Sequence, residues 1–405
     1  MKSSVDVAII GAGQAGLATS WHLQQANIDH VVLEAGRVAE TWRTRRWDSF
    51  CLVTPNWSVT LPGATYAGPD PDGFMPLAEL VDYFKSWADS FEAPLEENSR
   101  VEAVESDGER FVLSLPSGEL SARRVVVASG AYHRAHRPAG SEQLPQGVHQ
   151  ILAEEYRNPD ALPPGAALVV GSGQTGCQLA EEISQSGRKV FLACGRCGWL
   201  PRRMGGHDTM WWALQSGFLD RTPDGLPSPA ARLMCNPSWS GHDGGRDLHL
   251  RTLHRAGVEL LGRFVGSSDG LLRFADDLAA SADFGDARWA DFRGFTDAYC
   301  ARTGTPQPDY DIPAPLRIKT RLELDPSRDE IGTVIWTTGY RPEYGFVRLP
   351  VFDELGFPVQ VDGQTSVPGL YFVGVHWMRK FKSPILCGVG EDAEVVARQI
   401  VQARS

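Results

Sequence analysis

At 405 residues, 42% hydrophobic and 22% charged, the chain has the composition of a folded globular protein of two or three domains. A formal charge of −11 argues against nucleic acid or an anionic membrane surface as a partner, since both attract basic patches. Seven cysteines, an odd number without regular spacing, point to reduced thiols in a cytoplasm, and no apolar run approaches the ~18 residues of a membrane span.

Val5 to Glu34 reads as one β-α-β unit. The apolar run Val5–Ile10 has the length of a buried strand and leads into Gly11-Ala12-Gly13-Gln14-Ala15-Gly16. Leu17 to Leu23 is helix material, and a second apolar run, Val31–Leu33, ends on Glu34. Gly11 allows the tight turn, Gly13 lets backbone approach a pyrophosphate, and Gly16 lets helix and strand pack closely. The helix N-terminus offers free N–H groups to phosphate. Glu34, placed 34 − 11 = 23 residues past the first glycine, can accept hydrogen bonds from ribose hydroxyls. This is a dinucleotide site, and a chain that enters it so early leaves no room for a signal peptide.

Trp42 and Arg43 follow the second strand, near the adenosine and pyrophosphate of such a ligand, where Arg43 could pair with phosphate. Residues 48 to 76 are irregular and rich in Pro, Gly and aromatics, the kind of long loop that often carries function. Leu77 to Phe91 has helical spacing, Val101 to Leu115 alternates like strands, and Val125–Ala128 is a buried strand ending in Ser129-Gly130. A second phosphate loop, Gly171-Ser172-Gly173-Gln174-Thr175-Gly176, follows the strand Ala167–Val170 and opens a helix. At its twenty-third position stands Cys194, where the first unit has Glu34, and Arg196 lies two residues on. A carboxylate there would repel a 2′-phosphate and a guanidinium can bind it, so this site is expected to take NADPH.

Residues 199 to 250 form an irregular Trp-rich stretch, either an insertion over the site or a connector. Residues 251 to 330 read as short strand-like segments. The strand Ile331–Trp336 ends in Thr337-Thr338-Gly339, and is expected with everything after it to complete the first unit. Leu370–Gly374 is the last buried strand, and Asp392 to Arg404 is helical. The expected fold is α/β: two Rossmann-like dinucleotide-binding domains, the second inserted into the first. The boundaries are 1–150 with 325–405 for the first domain and 151–324 for the second.

The two loops with Glu34, Trp42, Tyr156-Arg157-Asn158-Pro159, Thr338-Gly339-Tyr340 and Gly388 to Asp392 resemble the flavin-containing monooxygenase superfamily, over nearly the whole chain. The resemblance implies FAD in the first site and NADPH in the second. It also implies hydride transfer from nicotinamide to flavin, a C4a-(hydro)peroxyflavin formed with O2, and oxygenation of a small organic substrate at N, at S or by Baeyer–Villiger chemistry. Cofactor-binding positions expected on these grounds are Gly11, Gly13, Gln14, Ala15, Gly16, Glu34, Ala35, Trp42, Arg43, Thr54, Val101, Ala128, Gly130, Gly171 to Gly176, Arg196, Thr338, Gly339 and Leu386. Asn56 is the candidate catalytic residue, an amide that could donate to a peroxy oxygen. One departure stands in the sequence: anchored on Tyr156, the family's His position is Leu152, and the nearby histidine is His149. An NADPH-dependent flavin reductase or oxidase, and a nucleotide-sensing flavoprotein, are the alternative readings. Cys194-x-x-Cys197 invites a redox-dithiol reading, which its place beside the nucleotide disfavours. His207, His242 and His249 match no metal-ligand spacing, so no metal is expected.

Overall fold

The computed structural model describes residues 3–403 and is built on two parallel sheets. The first has the order Leu370–Phe372, Gly118–Val127, Ser4–Ile10, His30–Leu33, Leu95–Glu96, all parallel, with short antiparallel strands added beside Leu370–Phe372 and along the first half of Gly118–Val127. Ser4–Ile10 is central, and from Val5 onward every residue is buried, as a strand covered on both faces demands. The second sheet is wholly parallel: His149–Leu152, Ile331–Trp336, Ala166–Val170, Val190–Ala193, Glu259–Leu261.

Register positions the functional loops. Ile10 pairs with both Leu33 and Val127, so the strands end level and bring Gly11, Glu34 and Ala128 side by side. Val170 pairs with both Ala193 and Trp336, which brings Gly171, Cys194 and Thr337 together in the same way. The count of 23 residues therefore marks a true structural equivalence between Glu34 and Cys194.

Three expectations change. The strand Ile331–Trp336 does not complete the first unit: it lies between Ala166–Val170 and His149–Leu152 in the second sheet. The second unit thus runs beyond the expected limits of 151 and 324, and return to the first begins near Tyr344, whose segment packs on Val104 and Phe372. The interval read as short strands contains a 26-residue helix, Leu278–Thr303, beside a small antiparallel sheet of Phe264–Ser268, Leu271–Phe274 and Glu323–Leu324. The Trp-rich stretch is less irregular than its composition suggests. Trp199, Trp212 and Trp239 pack with Trp289 and Phe292 of the long helix in one buried core. The last helix spans Val389–Gln402, and Arg404 lies outside the described residues.

Candidate functional site

The first cradle begins at Gly11, whose φ of 109° belongs to glycine. A Cβ there would stand 2.8 Å from the Ala128 carbonyl oxygen, and a Cβ on Gly16 would drive into the Gly11 carbonyl. A Cβ on Gly13 would meet nothing within 4 Å: this face is open. The Gln14–Gln25 helix starts there with no side-chain cap, so its first N–H groups point at the opening unclaimed. Glu34 accepts from Ala12 N–H at 2.7 Å and from Gly36 N–H at 2.8 Å, one bond to each oxygen. Each oxygen keeps a lone pair for a ribose hydroxyl. The donor set fits a dinucleotide.

Gln14 ties the cradle to the chain's far end. Its amide donates to the Pro384 carbonyl at 3.2 Å and accepts from the Trp42 indole N–H at 3.3 Å. Leu386, two residues past Pro384, is buried in the same core. Arg43 donates its Nε to the Val38 carbonyl at 2.9 Å, which leaves its terminal nitrogens for other acceptors. Ala35 is exposed beside Glu34, Thr54 and Val101 are half-buried, and Gly130 accepts from the Tyr344 hydroxyl at 2.6 Å.

The second cradle repeats the geometry. Gly171 has φ 111°, and a Cβ there would lie 2.6 Å from the Thr337 carbonyl. The Gln174–Gln185 helix likewise has no side-chain cap, and Gln174 and Thr175 in its first turn are half-buried. Ser172 closes the loop onto the next strand end, donating to the Gly195 carbonyl at 3.1 Å and accepting from its N–H at 3.0 Å. Arg196 is exposed and, among the described residues, makes no hydrogen bond or ion pair; its guanidinium lies 6.0 Å from the Phe284 ring. It is free to take a phosphate. The loop differs from the first at its approach face, where a Cβ on Gly173 would touch Cys235 at 3.5 Å.

The two units join at strand ends. Thr338 donates its hydroxyl to the His136 carbonyl, and the His136 N–H donates to Gly339 at 2.8 Å. Around this joint Tyr132 packs against His376 at 4.6 Å and against Tyr340 at 5.6 Å. Burial drives the His376 pKa down to about 4, so the imidazole is neutral. Sequence reasoning missed Tyr132 and His376. The signal was there: Gly130 and Gly374 each end a buried strand, with the aromatic two residues on.

Asn56 is buried, and both ends of its amide are engaged: Nδ2 donates to the Asp70 carbonyl at 2.9 Å and Oδ1 accepts from Met75 N–H at 2.8 Å. One Nδ2 hydrogen remains. The side chain clamps the 70–75 loop and sets Trp57, its neighbour, on a cavity of about 470 Å³ lined also by Asp72, Arg203, His207, Asp208 and Trp211. Trp57 and Trp211 share an apolar cluster with Phe381 and Cys387, on either side of Pro384. Strand spacing could not reveal this cavity, because its walls come from a loop and from a hairpin and helix far along the chain.

Cys194 and Cys197 are not a pair. Cys194 is buried with its thiol on the Leu192 carbonyl, and burial raises its pKa. Cys51 is also inert, pushed up to about 11 by burial. Among the described residues no cluster of His, Cys, Asp and Glu could hold a metal ion. Lys382 is buried in ion pairs with Asp220 and Glu391.

A family model described as pyridine nucleotide-disulphide oxidoreductase matches residues 8–204. A CzcO-like oxidoreductase of Geobacillus kaustophilus is 30% identical over 99% of both chains. Indole-3-pyruvate monooxygenase YUCCA4 of Oryza sativa is 23% identical over 97% of this chain and 87% of its own. The chain belongs to the flavin-containing monooxygenase-like superfamily. It is therefore an oxidoreductase. A flavin-containing monooxygenase from Stenotrophomonas maltophilia, 20% identical, has the same fold over 100% of both chains with a TM-score of 0.70. Each glycine loop stands at the carboxyl end of a strand in its own parallel sheet. Among the described residues no helix is long and apolar enough to cross a membrane.

Proposed function

We propose that the protein is an FAD- and NADPH-dependent monooxygenase of a small, fairly apolar organic substrate. Nitrogen, sulfur or a ketone carbon would receive the oxygen. One observation carries the reading: two cradles of the same register, of which only the first has a carboxylate, Glu34, while the second has an unpaired Arg196. The first suits a flavin dinucleotide with free ribose hydroxyls, and the second a nicotinamide nucleotide bearing a 2′-phosphate.

When bound, FAD with NADPH as reductant would supply the activation of O2. The chain's own residues do the rest. Glu34 would hold the ribose, and the helix N-termini behind Gly13 and Gly173 would hold pyrophosphate. Gln14 fixes the Pro384–Leu386 backbone, on which the flavin ring would rest, against Trp42. Asn56 pins the 70–75 loop, which forms one wall of the Trp57–Trp211 cavity where the substrate would enter. All seven cysteines are thiols, which supports a cytoplasmic setting.

A second reading, NADPH-dependent reduction of O2 to peroxide without oxygenation, is favoured by Leu152 at the superfamily's His position. One experiment separates them. NADPH-reduced protein is mixed with O2 and a panel of amines, thioethers and ketones, and peroxide and oxygenated product are counted per NADPH. Product exceeding peroxide for some member supports the monooxygenase. Peroxide equal to NADPH for all of them supports the oxidase.

A further inference from the structure

Cys197 has a partner that its spacing conceals. The Sγ atoms of Cys197 and Cys235 are 3.0 Å apart, and Cys235 is exposed. Cys235 is also what covers the second loop, with its Cβ 3.5 Å and its Sγ 3.7 Å from where a Gly173 Cβ would stand. The corresponding space at Gly13 is empty. Behind it, the cavity between Ser172, Gly195, Cys197 and Ser238 is only about 20 Å³, room for a water and not for a ribose.

Cys235 sits midway along a strap. On one side Arg232 pairs with Asp353 and lies 4.5 Å over the Phe357 ring, in the core of the first unit. On the other, the Ser238 N–H donates to the Gly198 carbonyl of the second unit at 3.0 Å. Met234, Cys235 and Asn236 between these anchors are exposed. For a nucleotide to seat on Gly173 this stretch must lift.

We propose that Cys197 and Cys235 are a thiol–disulfide site whose oxidation by a hydroperoxide locks the 232–238 strap across the second dinucleotide loop and excludes the nicotinamide nucleotide. This rests on the reading of that loop as the NADPH site. Cys235 is the attacking sulfur, being on the exposed stretch of the strap and held below the ordinary thiol pKa by the proton it shares with Cys197, which is raised in turn. Its thiolate takes the outer peroxide oxygen, the O–O bond breaks, and with one proton water leaves. The Cys197 sulfur then displaces the sulfenic oxygen, forming S–S and releasing a second water. Two thiols and one hydrogen peroxide give one disulfide and two waters; two electrons pass to the peroxide. A dithiol reductant reverses the step.

The test uses the flavin-loaded full chain, wild type and the Cys197→Ser and Cys235→Ser variants, before and after stoichiometric hydrogen peroxide. Mass spectrometry of the non-reduced digest should show a Cys197–Cys235 link, 2 Da lighter than the separate thiol peptides, with denatured thiols falling from seven to five. NADP+ binding, followed by calorimetry, should weaken at least tenfold on oxidation, recover with dithiothreitol, and be indifferent to peroxide in both variants. No link, or a link between other cysteines, overturns the proposal. A Cys197–Cys235 link with unchanged NADP+ affinity overturns the closure. Reduced protein that binds no NADP+ at all overturns the reading of the second loop, whatever the mass spectrum shows.

Discussion

The two glycine loops are near copies that face different surroundings. Both follow a buried strand, both begin on a positive-φ glycine locked against a neighbouring strand end, and both open an uncapped 12-residue helix. What differs is one side chain at the next strand end, Glu34 against Cys194, and one across the mouth, nothing against Cys235. The shared geometry fixes what class of ligand each takes. The differing side chains fix which member of the class, and when it is admitted.

The largest effects should come from the shared geometry. Gly16→Ala and Gly176→Ala each force a Cβ into the carbonyl of the loop's first glycine, an overpacking cost of about 3 kcal/mol. Gly16→Ala should purify without flavin, and Gly176→Ala should keep flavin and lose NADP+ binding in a calorimeter. Loss of both ligands in either variant would mean that the cradles do not fold independently. Glu34→Gln exchanges a charged acceptor of two backbone N–H groups for a neutral amide. By the ~1.5–3 kcal/mol of charge-assisted bonds, flavin affinity should drop 10- to 100-fold, with NADP+ affinity unchanged in the same preparation.

Asn56→Ala removes one buried and one half-buried hydrogen bond, and about 2 kcal/mol of stability should go with them in denaturant titration. Peroxide released per NADPH should rise as the 70–75 loop loosens; unchanged coupling would show that the wall Asn56 anchors does not shape the site. Arg196→Ala should raise the KM for NADPH about tenfold, ~1.4 kcal/mol of phosphate binding, and leave that for NADH alone. An unmoved ratio would detach Arg196 from the 2′-phosphate.

Acid should act on the second cradle as well. His249, beside the second cradle, stays neutral in the folded chain down to about pH 4 because it is buried, whereas the unfolded imidazole takes a proton near 6.5. Between those values the unfolded state binds more protons, so stability falls as pH falls. The melting temperature of His249→Gln should decline less than that of the wild type from pH 7 to pH 5.

Much of this was legible because some signals are local. A strand, three glycines and an acid 23 residues on need only counting, and register later made the count structural. The strand Ile331–Trp336 was misplaced because nothing in an apolar run ending in Gly says which sheet it joins. Like Val125–Val127, it lies beside the strand that leads into a glycine loop. The helix Leu278–Thr303 hid because its buried face carries Ser281, Gly285, Thr296 and Cys300 among the apolar residues, which blurs the hydrophobic period. Cys235 opposite Gly173, and Trp57 opposite Trp211, are tertiary meetings that no spacing encodes.

The assignment of one cradle to flavin and the other to NADPH is tested most directly by anaerobic titration of the purified protein, watching the visible flavin band. One equivalent of NADPH should bleach it fully, and the same amount of NADH should do so far more slowly. A protein that carries no flavin, or whose flavin NADPH leaves oxidised, would contradict it.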